Sequence, residues 1–162
     1  YNSLVDAGKT TVFVFTVAYG AIIFSNFINI AGMPDDILKF VNDLDVPPMG
    51  VIFAILAIYV VLGAVFEGIG MILLTVPIFF PVVQSLGFDL IWFGIVVIMV
   101  TEISLITPPV GMNVFVLKTM LPDVSLWTIF KGIGPFFCAD LLRLGLVVIF
   151  PQIALFLPAL MS

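Results

Sequence analysis

Four long runs of this sequence carry no charged residue: Thr10–Pro34, Val46–Phe66, Gly68–Phe88 and Leu144–Ser162. A helix needs roughly 20 mostly apolar residues to cross a bilayer, so these runs predict an all-α integral membrane protein. The composition agrees: 63% of the chain is hydrophobic and only 9% is charged, against about 25% charged in a soluble domain. The runs are too long and too continuous for barrel strands, which alternate in polarity. The net charge of −5 says little about partners, because most carboxylates fall in predicted loops. The five basic residues are scattered, which excludes a nucleic-acid surface.

Within Leu90–Leu121 the stretch Glu102–Asn113 contains Thr107-Pro108-Pro109-Val110-Gly111. Two prolines remove two backbone N–H donors, and Pro108 pushes Thr107 out of helical dihedrals. A helix entering at Leu90 is therefore expected to stop near Ile106 and to resume near Met112, with Gly111 turning the chain. Carbonyls freed in hydrocarbon must find partners, and a cation or another protein segment can serve. Discontinuous helices near the midplane are how secondary transporters expose carbonyls to Na⁺. Thr107 and Asn113 add hydroxyl and amide oxygens.

The first span is expected from Thr11 to about Gly32, with Ser25, Asn26 and Asn29 hydrogen-bonded to other helices. Met33–Pro48 is a polar interlude, in which Ile37, Leu38, Phe40 and Val41 form one face of a short interfacial helix. Pro47-Pro48 restarts the chain. Met49–Leu86 reads either as two thin spans or as a re-entrant hairpin whose tip is Glu67-Gly68-Ile69-Gly70. Pro77 and Pro81 are expected to break up its returning arm. Trp92 is placed as an interfacial aromatic. Asp123 or Ser125 caps the next helix, Gly132–Pro135 kinks it, a span runs from about Phe136 to Phe150, and Pro151 and Pro158 mark a frayed end.

Ionisable residues at membrane depth are costly and draw attention to Glu67, Glu102, Asp140 and Arg143. Asp140 and Arg143, three apart on one helix, are expected to form a structural pair. Glu67 and Glu102 can each bind a cation, carry a proton or hold a neighbouring helix. Enzyme chemistry finds little support. The chain has no histidine, Cys138 has no base, and Glu67 with Glu102 is the one conceivable acid dyad. Lys9, Lys118 and Lys131 against Lys39 favour a cytoplasmic start, with the Asp35–Asp45 loop and the C-terminus outside. The first residue is Tyr1, with no signal sequence after it, so the chain is read as the C-terminal piece of a longer polypeptide.

The segments Phe66–Ile78, Leu86-Gly87-Phe88-Asp89, Trp92-Phe93-Gly94, Glu102–Val114, Pro122-Asp123-Val124 and Pro135-Phe136 together resemble the large membrane subunit of TRAP transporters, the DctM type. The likeness covers most of the chain from about Gly50. It implies the second inverted repeat of an elevator-type transporter. Residues 1–48 would be a scaffold helix and connector, 49–86 a re-entrant hairpin, 90–121 a broken helix and 122–162 a C-terminal scaffold helix. It further implies a Na⁺ site at Gly68, Ile69, Gly70, Thr107, Pro108 and Gly111, with Glu67, Glu102 and Asn113 bordering the substrate. The expected cargo is an organic anion of the carboxylate or sialic acid class. The expected partners are the N-terminal half of the same subunit, a small membrane subunit and a periplasmic binding protein, all at a bacterial or archaeal cytoplasmic membrane. The competing reading is a membrane scaffold or interaction subunit that transports nothing.

Overall fold

The computed structural model describes residues 2–44, 46–108 and 111–161, with Asn2 described only in its backbone. Asp45, Pro109 and Val110 lie outside the described residues, so the Pro-Pro pair is seen through its flanks. The described residues form helices α1 (Asn2–Ile30), α2 (Met33–Asp43), α3 (Pro48–Gly63), α4 (Gly68–Ser85), α5 (Leu90–Ile106), α6 (Met112–Met120), α7 (Leu126–Ile149) and α8 (Gln152–Met161). Three helical stretches are long and apolar enough to cross a membrane: Ser3–Ile30, Gly68–Ser85 and Leu126–Ile149.

The core lies where α3, α4 and α5 pack together and the end of α7 joins them. Trp92, Tyr59, Phe93 and Ile52 are its largest fully buried side chains, with Val147 and Val148 at one edge. The Thr75 hydroxyl lies 2.7 Å from both the Met71 carbonyl and the Tyr59 hydroxyl, a polar link from α4 to α3. Helix α1 runs beside α4 in the same direction. Val17 faces Gly70, and further along Ser25 and Asn26 sit beside Leu73 and Pro77.

The expected short helix is α2. Pro34 stands in its first turn with Asp35 and Asp36, whose charges suit a helix N-terminus. Ile37, Leu38 and Val41 pack against the core.

Local punctuation behaved differently from place to place. Helix α1 begins before Thr11, carrying Asp6 and Lys9 as an exposed i,i+3 pair at 3.9 Å. Helix α4 continues through Pro77 and Pro81 and α7 through Pro135, and residues after Pro151 form α8 rather than a frayed end. A proline inside a membrane helix is tolerated where neighbouring groups satisfy the carbonyl it frees. Trp92 is not an interfacial aromatic. It is 1% exposed, and its indole N–H donates to the Val147 carbonyl at 2.8 Å.

Candidate functional site: the hairpin turn against the broken helix

Helix α5 ends at Ile106 and α6 begins at Met112, where the prolines and glycine predict. Thr107 is extended, with ψ 133°, as a residue before proline must be. Gly111 has φ +54°, in the left-handed region that favours glycine. A side chain there would also meet the Thr107 carbonyl at 3.3 Å and the Phe130 ring at 3.4 Å.

The end of α5 carries a row of hydroxyls on one face: Thr101, Ser104 and Thr107, three residues apart. Each donates its proton backward along the helix. Thr101 donates to the Val97 carbonyl at 2.8 Å, Ser104 to Thr101 at 2.5 Å and Thr107 to Ile103 at 2.6 Å. Their oxygen lone pairs are left to accept a hydrogen bond or meet a cation. Pro108 removes the helical donor of the Ser104 carbonyl, which takes the Thr107 N–H at 3.1 Å instead. Pro109 removes the donor of the Leu105 carbonyl.

The hairpin turn lies against this row. Gly63 closes directly on the Ser104 side chain, which is fully buried, and Gly68 lies against Thr101 and Leu105. The hairpin therefore meets the last turns of α5, just ahead of the break. The turn itself is residues 64–67, and Gly68, Ile69 and Gly70 are the first turn of α4 rather than a tip. Glu67 is the N-cap of α4, accepting from the Ile69 N–H at 3.0 Å and the Gly70 N–H at 2.9 Å. Its carboxylate satisfies donors left over at a helix start and lies on the positive end of the helix dipole. The carbonyls of Gly68–Gly70 enter the helical ladder. Among the described residues the carbonyls of the turn residues Ala64, Val65 and Phe66, like that of Gly63 before them, accept no backbone hydrogen bond.

The remaining candidates stand apart from the turn. Arg143 lies 3.2 Å from Asp140 on its own helix and 3.7 Å from Glu102 on α5. One guanidinium thus lies between two carboxylates across the α5–α7 boundary. Asn113 is exposed in the first turn of α6. Ser25, Asn26 and Asn29 make no hydrogen bond to another helix among the described residues. The Asn29 amide donates to the Ser25 carbonyl at 2.8 Å, within α1.

Sequence reasoning passed over Gly63, Thr101 and Ser104. The signal was present as hydroxyl residues at i, i+3 and i+6 ahead of the proline break.

Apolar helices enclosing a hairpin on a proline-broken helix define a polytopic membrane protein. The comparisons give its family. The model of the tripartite ATP-independent periplasmic transporter DctM component matches residues 1–153, and the chain belongs to that family. It is 30% identical over 155 residues to the C4-dicarboxylate TRAP transporter large permease protein DctM of Pseudomonas aeruginosa, covering 96% of this chain and 36% of that protein. It is 28% identical over 157 residues to the sialic acid TRAP transporter large permease protein SiaM of Vibrio cholerae, covering 97% and 36%. It is 33% identical over 152 residues to the ectoine TRAP transporter large permease protein TeaC of Halomonas elongata, covering 94% and 35%. The chain thus spans about a third of the length of these curated relatives, which are named as transport permeases rather than enzymes.

Proposed function

We propose that these residues are the C-terminal part of the large permease subunit of a Na⁺-coupled importer of a carboxylate-bearing organic solute. The compounds in the relatives' names, a C4-dicarboxylate, sialic acid and ectoine, all carry a carboxylate. The observation that carries the reading is the seating of the hairpin turn on α5 immediately before its break.

In this reading α3 and α4 are a re-entrant hairpin. At 1.5 Å per residue, the 16 residues of α3 rise about 24 Å, short of the ~30 Å hydrocarbon core. The turn at 64–67 then ends inside the membrane. Na⁺ is cargo that sits between the two broken elements. The Thr107 hydroxyl oxygen and the Leu105 carbonyl fit a hard cation from the α5 side, and the carbonyls of Ala64–Phe66 fit it from the hairpin side. Gly68 lies against Thr101 and Leu105 on the hairpin side of that pocket, Gly111 turns the chain on the other side, and the N-terminus of α4 is capped by the Glu67 carboxylate.

Helix α1 with α2 serves as scaffold, and the hairpin with α5 and α6 as the moving, elevator-type body. Residues 122–162 form the C-terminal scaffold helix, docked on that body through the Trp92–Val147 hydrogen bond and the shared core. An N-terminal half of the same subunit, arranged as an inverted repeat, completes the permease. A small membrane subunit and a periplasmic binding protein work with it at the cytoplasmic membrane, with the chain's N-terminus on the cytoplasmic side.

The test is uptake by the intact permease in proteoliposomes with its small subunit and binding protein, measured against Na⁺ concentration. Thr107→Val keeps the shape and removes the oxygen. It is expected to raise the Na⁺ concentration for half-maximal uptake several-fold while leaving binding-protein docking unchanged. An unaltered Na⁺ dependence removes Thr107 from the site, and uptake indifferent to Na⁺ in the parent protein overturns the coupling.

A further inference from the structure

Three polar residues of α1 are unexplained by the site above, and two prolines of α4 pose the matching question. Pro77 has no N–H for the carbonyl of Leu73, and Pro81 has none for the carbonyl of Pro77. Both acceptors lie in the middle of α4, so neither sits at a helix end where water is at hand. They are four residues apart, on nearly the same face and about 6 Å along the axis. An unpaired carbonyl in hydrocarbon costs several kcal/mol.

What lies beside them is the polar stretch of α1. Ser25, Asn26, Leu73 and Pro77 border one notch of about 180 Å³ between the two helices. Ala21 closes its edge and is only 3% exposed, so the helices pack tightly there. Asn26 is exposed on the rim of the notch, Ser25 is half-buried, and the Asn26 amide makes no hydrogen bond within the protein among the described residues. A water molecule takes about 30 Å³ of liquid volume, so the notch has room for bridging waters.

The protein shows the same solution elsewhere. Val147 loses its helical donor to Pro151, and the Trp92 indole supplies one from a neighbouring helix.

We propose that Asn26, assisted by Ser25, is a positioning residue that seats α1 on the hairpin arm by supplying, through water in the notch, the hydrogen bonds that Pro77 and Pro81 take from α4. A water-bridged seam holds the register of α1 against α4 without locking it as interdigitated apolar side chains would. That suits a contact between a scaffold helix and a moving arm, an assignment that rests on the function proposed above. The seam itself rests only on the packing of α1 and α4.

The test is a suppression experiment in the intact permease, held in lipid nanodiscs. Asn26→Leu leaves the carbonyls unserved, and the midpoint of thermal unfolding is expected to fall by about 3 °C or more. Pro77→Ala returns an N–H to the Leu73 carbonyl, so the double variant is expected to recover most of that loss. Pro135→Ala in α7, far from the notch, is expected to recover none of it. Asn26→Ser, which keeps a donor, is expected to lose less than Asn26→Leu. If Asn26→Leu yields no protein, the same cycle is run on Asn26→Ala. Strictly additive effects of the position 26 and Pro77 substitutions would overturn the proposal, as would equal rescue by Pro135→Ala. Because the readout is stability, it stands or falls apart from Na⁺-coupled uptake.

Discussion

The Trp92 indole N–H donates to the carbonyl of Val147 at 2.8 Å, and Val147 is the residue whose helical donor would have been Pro151. One side chain of α5 thereby completes the hydrogen bonding of α7 where α7 stops. Trp92 is also stacked on Phe88, with ring centroids 5.3 Å apart, so its ring is held by one face and by its N–H edge.

Trp92→Phe keeps most of the ring and removes the N–H. The Val147 carbonyl is then buried without a donor, a loss of about 1–3 kcal/mol. A lowered unfolding midpoint in the intact permease is the expected result, with Trp92→Tyr no better, because its hydroxyl is not at the indole nitrogen. An unchanged midpoint for Trp92→Phe would mean that water already reaches the carbonyl.

Glu67 makes a second prediction, since its carboxylate holds the Ile69 and Gly70 N–H groups. Glu67→Ala is expected to cost about 0.5–2 kcal/mol, the range for a lost helix cap. Glu67→Asp, the shorter residue common at this position, is expected to retain much of it. Hydrogen exchange at the start of α4 reads the effect directly. Were exchange at Ile69 and Gly70 as slow in Glu67→Ala as in the parent, the cap would be incidental.

Arg143 with its two carboxylates gives the third. Removing the guanidinium leaves Glu102 and Asp140 facing each other's charge at a helix boundary. Arg143→Met is expected to reduce yield sharply, and Glu102→Gln or Asp140→Asn only mildly. Adding Glu102→Gln and Asp140→Asn to Arg143→Met is expected to restore yield. A normal yield for Asp140→Asn with a changed Na⁺ dependence would move the cluster from structure to ion handling.

The parts of this fold that were legible in the sequence are those fixed within a few residues. Pro108 and Gly111 dictate where α5 ends and α6 starts, and Ser125 caps α7 through the Thr128 N–H as its position suggests. What was misread depends on neighbours. Pro77 and Pro81 look like breaks in one dimension, yet α4 continues through both. Trp92 looks like a surface aromatic until α7 is laid across it. Glu102 has no visible partner until Arg143, far along the chain, is brought beside it. The hairpin glycines were legible as important and not as to role: Gly68 and Gly70 serve a helix start, and the close approach belongs to Gly63.

That approach gives the last prediction. A Cβ at Gly63 would run into both the Cβ and the Oγ of Ser104, and Ser104 is fully buried with no room to withdraw. At Gly68 the nearest neighbour is the Thr101 methyl at 3.2 Å, which a small shift relieves. Gly63→Ala is therefore expected to displace the hairpin turn from α5, while Gly68→Ala leaves it seated. Overpacking of this kind costs about 1–3 kcal/mol. Ser104→Gly removes both clashing atoms, so Gly63→Ala with Ser104→Gly is expected to regain stability that neither change regains alone. Cysteines placed at Phe66 and Ile106 provide a further readout, the rate of their cross-linking in the intact permease, compared between the glycine variants. A Gly63→Ala protein as stable as the parent and cross-linking at the parent's rate would show that the turn does not rest on Ser104, and the contact carrying the proposed site would be lost with it.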